Sequence, residues 1–308
     1  MTASAPQLVF SVVVPTLGRA RQLQGCLGAL DALDYPPERF EVVIVNDGGG
    51  PEIERLASGW EDRLAIALVS TPEVGPAAAR NVGAKRARGE LLAFTDDDCE
   101  PKRGWLRSLE GVLEANPGAA VGGTVVNGAT SRCSAASQAA LDATHAHFNR
   151  DPAGRRFFAS NNFAVEADGF RAVGGFDESF PFAEDRELCD RWVASGRRLE
   201  HAPDAIVRHM RELTLPQFWR QHFGYGRGAW AFHRARAERG RGRLTVESRF
   251  YAELARQVSR RRAGAGRPSL AALAFISQVA NASGFAREAL AARLGSRPHG
   301  APAEGVSR

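Results

Sequence analysis

Three consecutive aspartates, Asp96, Asp97 and Asp98, follow an apolar run that extends from Leu91 to Phe94. Such a run is typical of a strand that is buried on both faces of a parallel sheet. Because an unpaired buried charge is very costly, we expect the carboxylates at the strand's carboxyl end, where open α/β sheets bind ligands. Oxygen ligands there suit Mg²⁺ or Mn²⁺, which completes its shell with substrate phosphates. The residues predict a metal–diphosphate site, with a solvated acidic turn as the alternative.

Two other predicted strands also end in polar residues, at Pro15 and Thr16 and at Asp47. The carboxyl ends of parallel strands share one sheet edge, so these side chains can converge with the aspartates. Arg80 and Asn81 lie on the first turns of a predicted helix at the same edge, and the planar fork of arginine suits a diphosphate. No Gly-x-Gly-x-x-Gly follows the first strand and no Walker-type lysine motif occurs, which argues against a dinucleotide oxidoreductase or an NTPase.

A second acidic cluster, Glu184 and Asp185, opens a predicted helix directly after Phe180 and Phe182. Aromatic neighbours would partly desolvate a carboxylate and raise its pKa toward that of a general base. The alternative is an acidic helix N-terminus that favours the helix dipole. His209 follows the last predicted strand and either completes a metal shell or faces solvent.

The elements that must position these residues alternate between strand and helix. In the first half we predict strands at 8–14, 40–45, 64–69 and 91–95, and helices at 21–30, 53–57, 77–88 and 105–115. In the second half we predict strands at 120–126, 159–165 and 199–207, and helices at 133–148, 170–174 and 185–195. This rhythm indicates an α/β protein with a doubly wound, mostly parallel sheet, followed by helices from Leu215 onwards.

The composition is that of a soluble globular chain, with 308 residues of which 44% are hydrophobic and 24% charged. The net charge of +5 is uneven, because the residues from Leu213 onwards contain 17 arginines and 5 acidic residues, a balance of +12 that leaves −7 on the first 212. A basic tail suggests an anionic partner such as nucleic acid, lipid headgroups or an anionic acceptor, or else a solvated arginine-rich face. Four scattered cysteines favour a reducing compartment.

We see no signal peptide and no apolar stretch long enough to span a membrane. We therefore expect a cytoplasmic protein that can lie peripherally on the inner face of the membrane through its basic C-terminal region, and we expect no nucleic acid partner.

Six motifs in order match a known family over roughly residues 9–212. They are 11–16 (SVVVPT), 45–49 (VNDGG), 79–83 (ARNVG), 89–98 (GELLAFTDDD), 174–178 (GGFDE) and 184–185 (ED). The chain resembles the family 2 glycosyltransferases, which have the GT-A fold. The resemblance implies a mixed, mostly parallel sheet with a Rossmann-like nucleotide-binding half and an acceptor half. It also implies an inverting transfer from a nucleoside-diphosphate sugar, with UDP as the default nucleotide of this family.

The resemblance also implies a role for each matching position. The residues assigned to the nucleotide are Pro15, Thr16, Arg19, Asp47, Arg80, Asn81, Asp96 and Asp97. The metal, Mn²⁺ or Mg²⁺, is assigned to Asp98 with Asp96 and His209. Asp185 is the general base, with Glu184 beside the acceptor. Asn161, Asn162 and Trp105 are assigned to contacts with donor or acceptor hydroxyls.

We predict a catalytic domain at 1–212, divided at residue 100, a basic helical extension at 213–295 and a disordered tail at 296–308. The stretch 217–220 is not the Gln-x-x-Arg-Trp element of processive synthases. A single sugar added to a glycan, lipid-linked or small-molecule acceptor is therefore expected. A nucleotidyltransferase and a non-catalytic sugar-nucleotide-binding protein are the alternatives.

Overall fold

A computed structural model describes residues 8–151, 154, 156–241, 248–261 and 267–294. Its first part contains four parallel strands, β1 (Phe10–Thr16), β2 (Phe40–Asp47), β3 (Ile66–Thr71) and β4 (Leu91–Phe94). They are joined by α1 (Ala20–Asp31), α2 (Pro51–Ser58) and α3 (Pro76–Arg86). The polar residues that follow these strands consequently share one edge of the sheet, as predicted.

The second part adds four strands, β5 (Cys99–Pro101), β6 (Ala120–Asn127), β7 (Phe163–Glu166) and β8 (Leu199–His209). Its helices are α4 (Trp105–Ala115), α5 (Arg132–Phe148), α6 (Ala167–Val173) and α7 (Glu184–Ala194). The strand order is β3-β2-β1-β4-β7-β6-β8-β5. Strand β7 is antiparallel to both β4 and β6, whereas β8 is parallel to β6. The mixed, mostly parallel sheet that the sequence predicted is confirmed.

The structure differs from the sequence prediction at two strands. The strand predicted at 159–165 is wrong in its first half, because Ser160–Asn162 form a 3₁₀ turn before β7 begins. Strand β5 was not predicted, since three residues are too short to show a hydrophobic pattern. It pairs antiparallel with β8 and sets Cys99 opposite His209. The segment that follows the three aspartates is therefore fastened to the end of the last strand.

The hydrophobic core lies on both faces of the sheet, because consecutive residues of β1 point to opposite sides. Phe10, Val12 and Val14 pack with α1, α2 and α4, whereas Val13 packs with α3, α6 and α7. All four side chains are fully buried. This two-sided burial explains why the strands read as continuous apolar runs.

Three further helices follow the sheet, α8 (Leu215–Glu238), α9 (Ser248–Arg260) and α10 (Arg267–Arg293). A Cβ at Gly226 would collide with the Asn281 carbonyl, and one at Gly284 would collide with the Phe223 carbonyl. Glycine at these two positions lets α8 and α10 pack backbone to backbone. Among the described residues, no helix combines the length and apolarity needed to cross a membrane. The boundary at residue 212 stays a prediction, and the tail at 296–308 lies outside the described residues.

Several arginines of the helical region that follows residue 212 form ion pairs with the sheet domain. Arg239 pairs with Glu187 of α7 at 2.7 Å, and Arg236 and Arg241 both pair with Asp190 at 3.2 Å. A further pair of this kind joins Arg261 to Asp142 of α5 at 2.5 Å. The basic C-terminal region and the acidic residues before it therefore attract each other. These ion pairs reduce the positive charge that is available to an anionic partner.

Candidate active site

Asp97 is the fully buried member of the three aspartates that follow β4. Its Oδ2 accepts hydrogen bonds from the Thr16 hydroxyl at 2.6 Å and from Arg19 Nε at 2.9 Å, and Arg19 also pairs with its other oxygen. Burial raises the pKa of Asp97 to about 6, although the Arg19 charge opposes that shift. The Asp97 carboxylate thus ties the end of β1 to the end of β4.

Asp98 lies between a cation and an imidazole. Its Oδ2 is 3.0 Å from Arg19 Nη1, and its Oδ1 is 3.2 Å from His209 Nε2. Burial alone would raise the pKa of Asp98, but the hydrogen bond from His209 and the charge of Arg19 hold it well below its usual range. The same bond raises the pKa of His209 despite burial. The β5–β8 pairing therefore joins two of the three predicted metal ligands.

The donor atoms of Asp98, Cys99 and His209 lie within 4.8 Å of one another. A cysteine sulfur is a soft ligand that suits zinc or copper better than Mg²⁺ or Mn²⁺, so Cys99 is the least suitable of the three for these ions. One carboxylate and one imidazole remain, which fits a divalent ion that also takes water and phosphate oxygens. Asp96, the other predicted ligand, does not belong to this group and instead bonds Arg80.

Arg80 joins the two acidic clusters of the sequence. Its Nη2 donates to Asp96 Oδ1 at 2.7 Å and its Nη1 to Glu184 Oε1 at 2.8 Å, while its guanidinium lies 5.7 Å from the Phe176 ring centre. The side chain is 5% exposed, and its Nε has no hydrogen-bond partner among the described residues. Both terminal nitrogens are thus bound to carboxylates. Arg80 holds the end of β4 and the start of α7 together.

Asp185 occupies the first turn of α7 and keeps a partly exposed side chain. Its carboxylate accepts from the backbone N–H groups of Arg186 at 2.7 Å and Ser160 at 3.3 Å. Desolvation, reinforced by the charge of Glu184, raises the pKa of Asp185 to about 7, despite these hydrogen bonds and the Arg80 charge. A carboxylate with such a pKa can accept a proton near neutral pH.

Helix α8 supports the segment that leads into α7. A Cβ at Gly224 would lie 2.5 Å from the Phe182 ring, and one at Gly228 would lie 2.8 Å from the Phe182 carbonyl and 2.9 Å from Ala183 Cβ. Ala183 has φ +65°, a left-handed conformation that is strained for alanine. The close fit of the two α8 glycines thus fixes the backbone from which Glu184 and Asp185 project.

Tyr225, between those two glycines, was not among the individually predicted site residues. Its side chain is 48% exposed, yet desolvation by surrounding protein raises its pKa to about 12, with contributions from Asp185, Glu184 and Asp96. Because the charges that contribute include members of both acidic clusters, the Tyr225 side chain lies near both of them. The glycine-rich stretch at 223–228 was the sequence signal for a closely packed segment around Tyr225. Only the tertiary structure shows that this segment faces the start of α7.

Asp47 and Asn81 hold loops at the same edge. Asp47 accepts from the Thr71 hydroxyl at 3.0 Å and from the N–H groups of Val74 at 2.7 Å and Gly75 at 3.0 Å. Asn81 bonds both backbone groups of Phe176 at 2.9 Å. These contacts shape the loop before α3 and the Gly-Gly-Phe-Asp-Glu turn.

The predicted sugar contacts of Asn162 and Trp105 are not supported. Trp105 is fully buried, and its Nε1 donates to Asn162 Oδ1 at 2.9 Å. The Asn162 amide donates in turn to the carbonyls of Thr124 at 3.0 Å and Ala205 at 2.8 Å. The pair stabilises the junction of α4, β6 and β8. Asn161 differs, because its buried Oδ1 finds no hydrogen-bond partner in the part of the chain that the structure describes.

Comparison with known proteins agrees with this arrangement. The model of the family described as "Glycosyl transferase family 2" matches residues 11–172, more than half of the chain. The chain belongs to this family. It is therefore a glycosyltransferase, which favours that prediction over the nucleotidyltransferase and the non-catalytic alternatives.

Two relatives match a larger part of the chain than the family model does. Glycosyltransferase AglE from Haloferax volcanii is 31% identical over 229 residues, which make up 71% of this chain and 73% of AglE. The pre-mycofactocin glycosyltransferase of Mycobacterium tuberculosis is 29% identical over 71% of this chain, and the match spans 46% of that protein's length.

Solved structures agree on the fold. The mannosyltransferase PcManGT from Pyrobaculum calidifontis, solved with GDP-Man and Mn²⁺, has a TM-score of 0.59 at 21% identity and covers 95% of this chain and 77% of its own. Residues 1–349 of TarS from S. aureus have a TM-score of 0.56 at 16% identity, covering 97% of this chain and 100% of their own.

The family match ends before Asp185 and His209 in the sequence. Glu184, the neighbour of Asp185, is nevertheless linked to Asp96 within the match through Arg80, and His209 is brought to Asp98 by the β5–β8 pairing. The two halves of the site are therefore joined by tertiary contacts.

Proposed function

We propose that this enzyme transfers a sugar, with inversion, from a nucleoside-diphosphate sugar to an acceptor hydroxyl, with the assistance of a divalent cation. The observation that carries the proposal is the Arg80 bridge, which connects Asp96 at the end of β4 to Glu184 beside Asp185. A donor-binding edge and a general base then serve one cleft.

The donor side of this proposal rests on residues at the strand ends. Thr16, Arg19 and Asp97 form one hydrogen-bonded group at the carboxyl end of β1, and Asp47 shapes the neighbouring loop. This edge is where open α/β sheets bind ligands, and Gly48 there has φ +79°, which suits a tight turn. We assign the nucleotide to it, with UDP as the first candidate.

Asp98 and His209 would hold Mn²⁺ or Mg²⁺. The ion would stabilise negative charge on the departing nucleoside diphosphate. The positive charge of Arg19, bound to Asp98 and Asp97, would offset repulsion between these carboxylates and the phosphates of the donor.

Asp185 takes the acceptor proton. As the acceptor oxygen forms its bond to the anomeric carbon, the bond from that carbon to the diphosphate oxygen breaks, and the hydroxyl proton passes to the Asp185 carboxylate. One displacement inverts the configuration, so one carboxylate suffices. The N–H groups of Ser160 and Arg186 fix the carboxylate's orientation.

Residues at the mouth of the cleft contact the acceptor in this proposal. Tyr225 offers an exposed ring, and Asn161 offers a buried oxygen that no other described residue bonds. Acceptor pockets combine apolar surface with a few polar groups, and a glycan, a lipid-linked sugar or a small molecule would each meet that requirement.

The test is a donor panel. We would measure binding and slow hydrolysis of UDP- and GDP-sugars with and without Mn²⁺, using the wild type and Asp185→Asn. We expect one donor to bind in a metal-dependent manner to both proteins and to be turned over by the wild type alone. Equal turnover by Asp185→Asn would refute the base assignment, whereas folded protein that binds no donor would refute the donor assignment.

A further inference from the structure

Helix α10 presents an apolar face that no described residue covers. Phe275 is 70% exposed, Leu290 58% and Val279 39%, and Ala282 and Ala286 between them are also exposed. At about 100° per residue, these five positions fall within an arc of about 80°. They form one continuous stripe along roughly four turns of the helix.

The opposite side of α10 is fixed. Gly284 packs on the Phe223 backbone, the Asn281 backbone meets Gly226, and Glu288 accepts a hydrogen bond from Arg227 at 2.5 Å. The helix therefore cannot rotate to bury its stripe without breaking the backbone contact with α8 and a buried ion pair. The apolar surface belongs to the folded protein.

The charges on the helix surface are all of one sign. Glu288 is the one acidic residue in the α10 sequence, and it is buried against Arg227. Arg287 and Arg293 are exposed near the helix C-terminus, beside the end of the stripe. The outward surface of α10 thus combines an apolar stripe with positive charge and carries no exposed carboxylate of its own.

We propose that α10 docks on an anionic lipid bilayer. Phe275, Val279 and Leu290 enter the boundary between headgroups and acyl chains, and Arg287 and Arg293 contact lipid phosphates. A helix that lies in the interface plane has this combination of an apolar face and basic residues. Arg287 stays 53% exposed although it lies 3.7 Å from Glu288, and Arg293 is exposed as well. These exposed arginines and the absence of exposed carboxylates on α10 favour this occupant over a second copy, whose α10 would bring the same arginines and no exposed carboxylate to pair with them.

The docking surface is separate from the proposed chemistry. None of the five stripe residues belongs to the candidate active site, and the arginines that pair with α5 and α7 are not used. Donor hydrolysis in solution should therefore be unchanged when the stripe is altered, so failure of one proposal leaves the other standing.

The test is sedimentation of the full chain with sucrose-loaded vesicles of phosphatidylglycerol and phosphatidylcholine. We expect the wild type to bind anionic vesicles and Phe275→Ser/Leu290→Ser to bind at least roughly tenfold more weakly, because two large apolar side chains no longer enter the lipid. The matched control is Val193→Ser on α7, a residue that is 40% exposed and lies outside the stripe. It should bind like the wild type.

Three outcomes would overturn the proposal. They are wild type that stays in the supernatant with anionic vesicles, a double variant that binds like the wild type, and a dimer in sedimentation velocity that the double variant abolishes while vesicle binding stays absent. Hydrogen exchange on the wild type gives a check without substitution, because bound vesicles should slow amide exchange in α10. Unchanged exchange there, with protein on the vesicles, would assign the contact elsewhere.

Discussion

Replacing Asp185 by asparagine should remove activity and, above neutral pH, stabilise the fold. The pKa of Asp185 is raised from its ordinary 3.8 to about 7, so the folded protein favours the protonated carboxyl. Between these two values the folded state binds a proton that the unfolded state has released. The stability of the wild type therefore falls as pH rises from about 4 through about 7, and it changes no further above that range.

The size of this effect follows from the shift. Each pKa unit corresponds to about 1.4 kcal/mol, so a shift of about three units sets a ceiling of about 4 kcal/mol. Between pH 5 and pH 8 about two units of this pKa shift take effect. The partly exposed carboxylate keeps some solvation, which lowers the expected free energy below the ceiling. We expect the stability difference between Asp185→Asn and the wild type to grow by about 2 kcal/mol over this interval.

The assay is guanidinium unfolding of both proteins at pH 5 and pH 8 with EDTA present. Comparing the two pH values cancels any constant effect of the amide on the Ser160 and Arg186 hydrogen bonds. Asp168→Asn is the control, because that carboxylate is 94% exposed on α6 and keeps its hydration in the folded protein. A stability difference that does not change with pH would refute the raised pKa.

The kinetic counterpart uses the same variant. A general base contributes about 10²–10⁴-fold to the rate, so the turnover rate of Asp185→Asn should fall by a factor in or above this range. Its affinity for the donor should stay the same. The wild-type rate should rise with pH and level off above about 7, because the carboxyl must be ionised to accept the acceptor proton. A rate that is flat between pH 5 and 8 would contradict the assigned role.

Three further predictions concern the supports of the site. His209→Ala should weaken Mn²⁺ binding by about tenfold or more in calorimetry, and unchanged affinity would remove His209 from the metal site. Gly228→Ala should lower kcat with little effect on donor affinity, because its Cβ meets Ala183 at 2.9 Å and displaces the start of α7. Asn162→Ala should reduce the free energy of unfolding by about 2 kcal/mol, because Trp105 loses its partner, while the donor KM stays the same. A raised donor KM would instead support the predicted contact between Asn162 and the sugar.

The sequence determined the sheet and the identity of its ligand-binding edge. Apolar runs that end in Thr16, Asp47 and Asp96 are local signals, because a strand buried on both faces must be apolar and must release its polar residues where it ends. The helix that starts at Glu184 was likewise visible from its acidic N-terminus. These features depend on neighbours in the chain, so the sequence pattern was sufficient to find them.

Tertiary structure decided which polar residues serve the site. Trp105 and Asn162 look like ligand contacts in the sequence, yet their polar atoms satisfy each other and two strand carbonyls in the core. Arg80, which stays a predicted nucleotide contact, joins two carboxylates that lie far apart in the chain. A polar side chain is available to a ligand only if the fold does not already supply its hydrogen-bond partners. Those partners come from distant parts of the chain, so a local sequence pattern cannot show them.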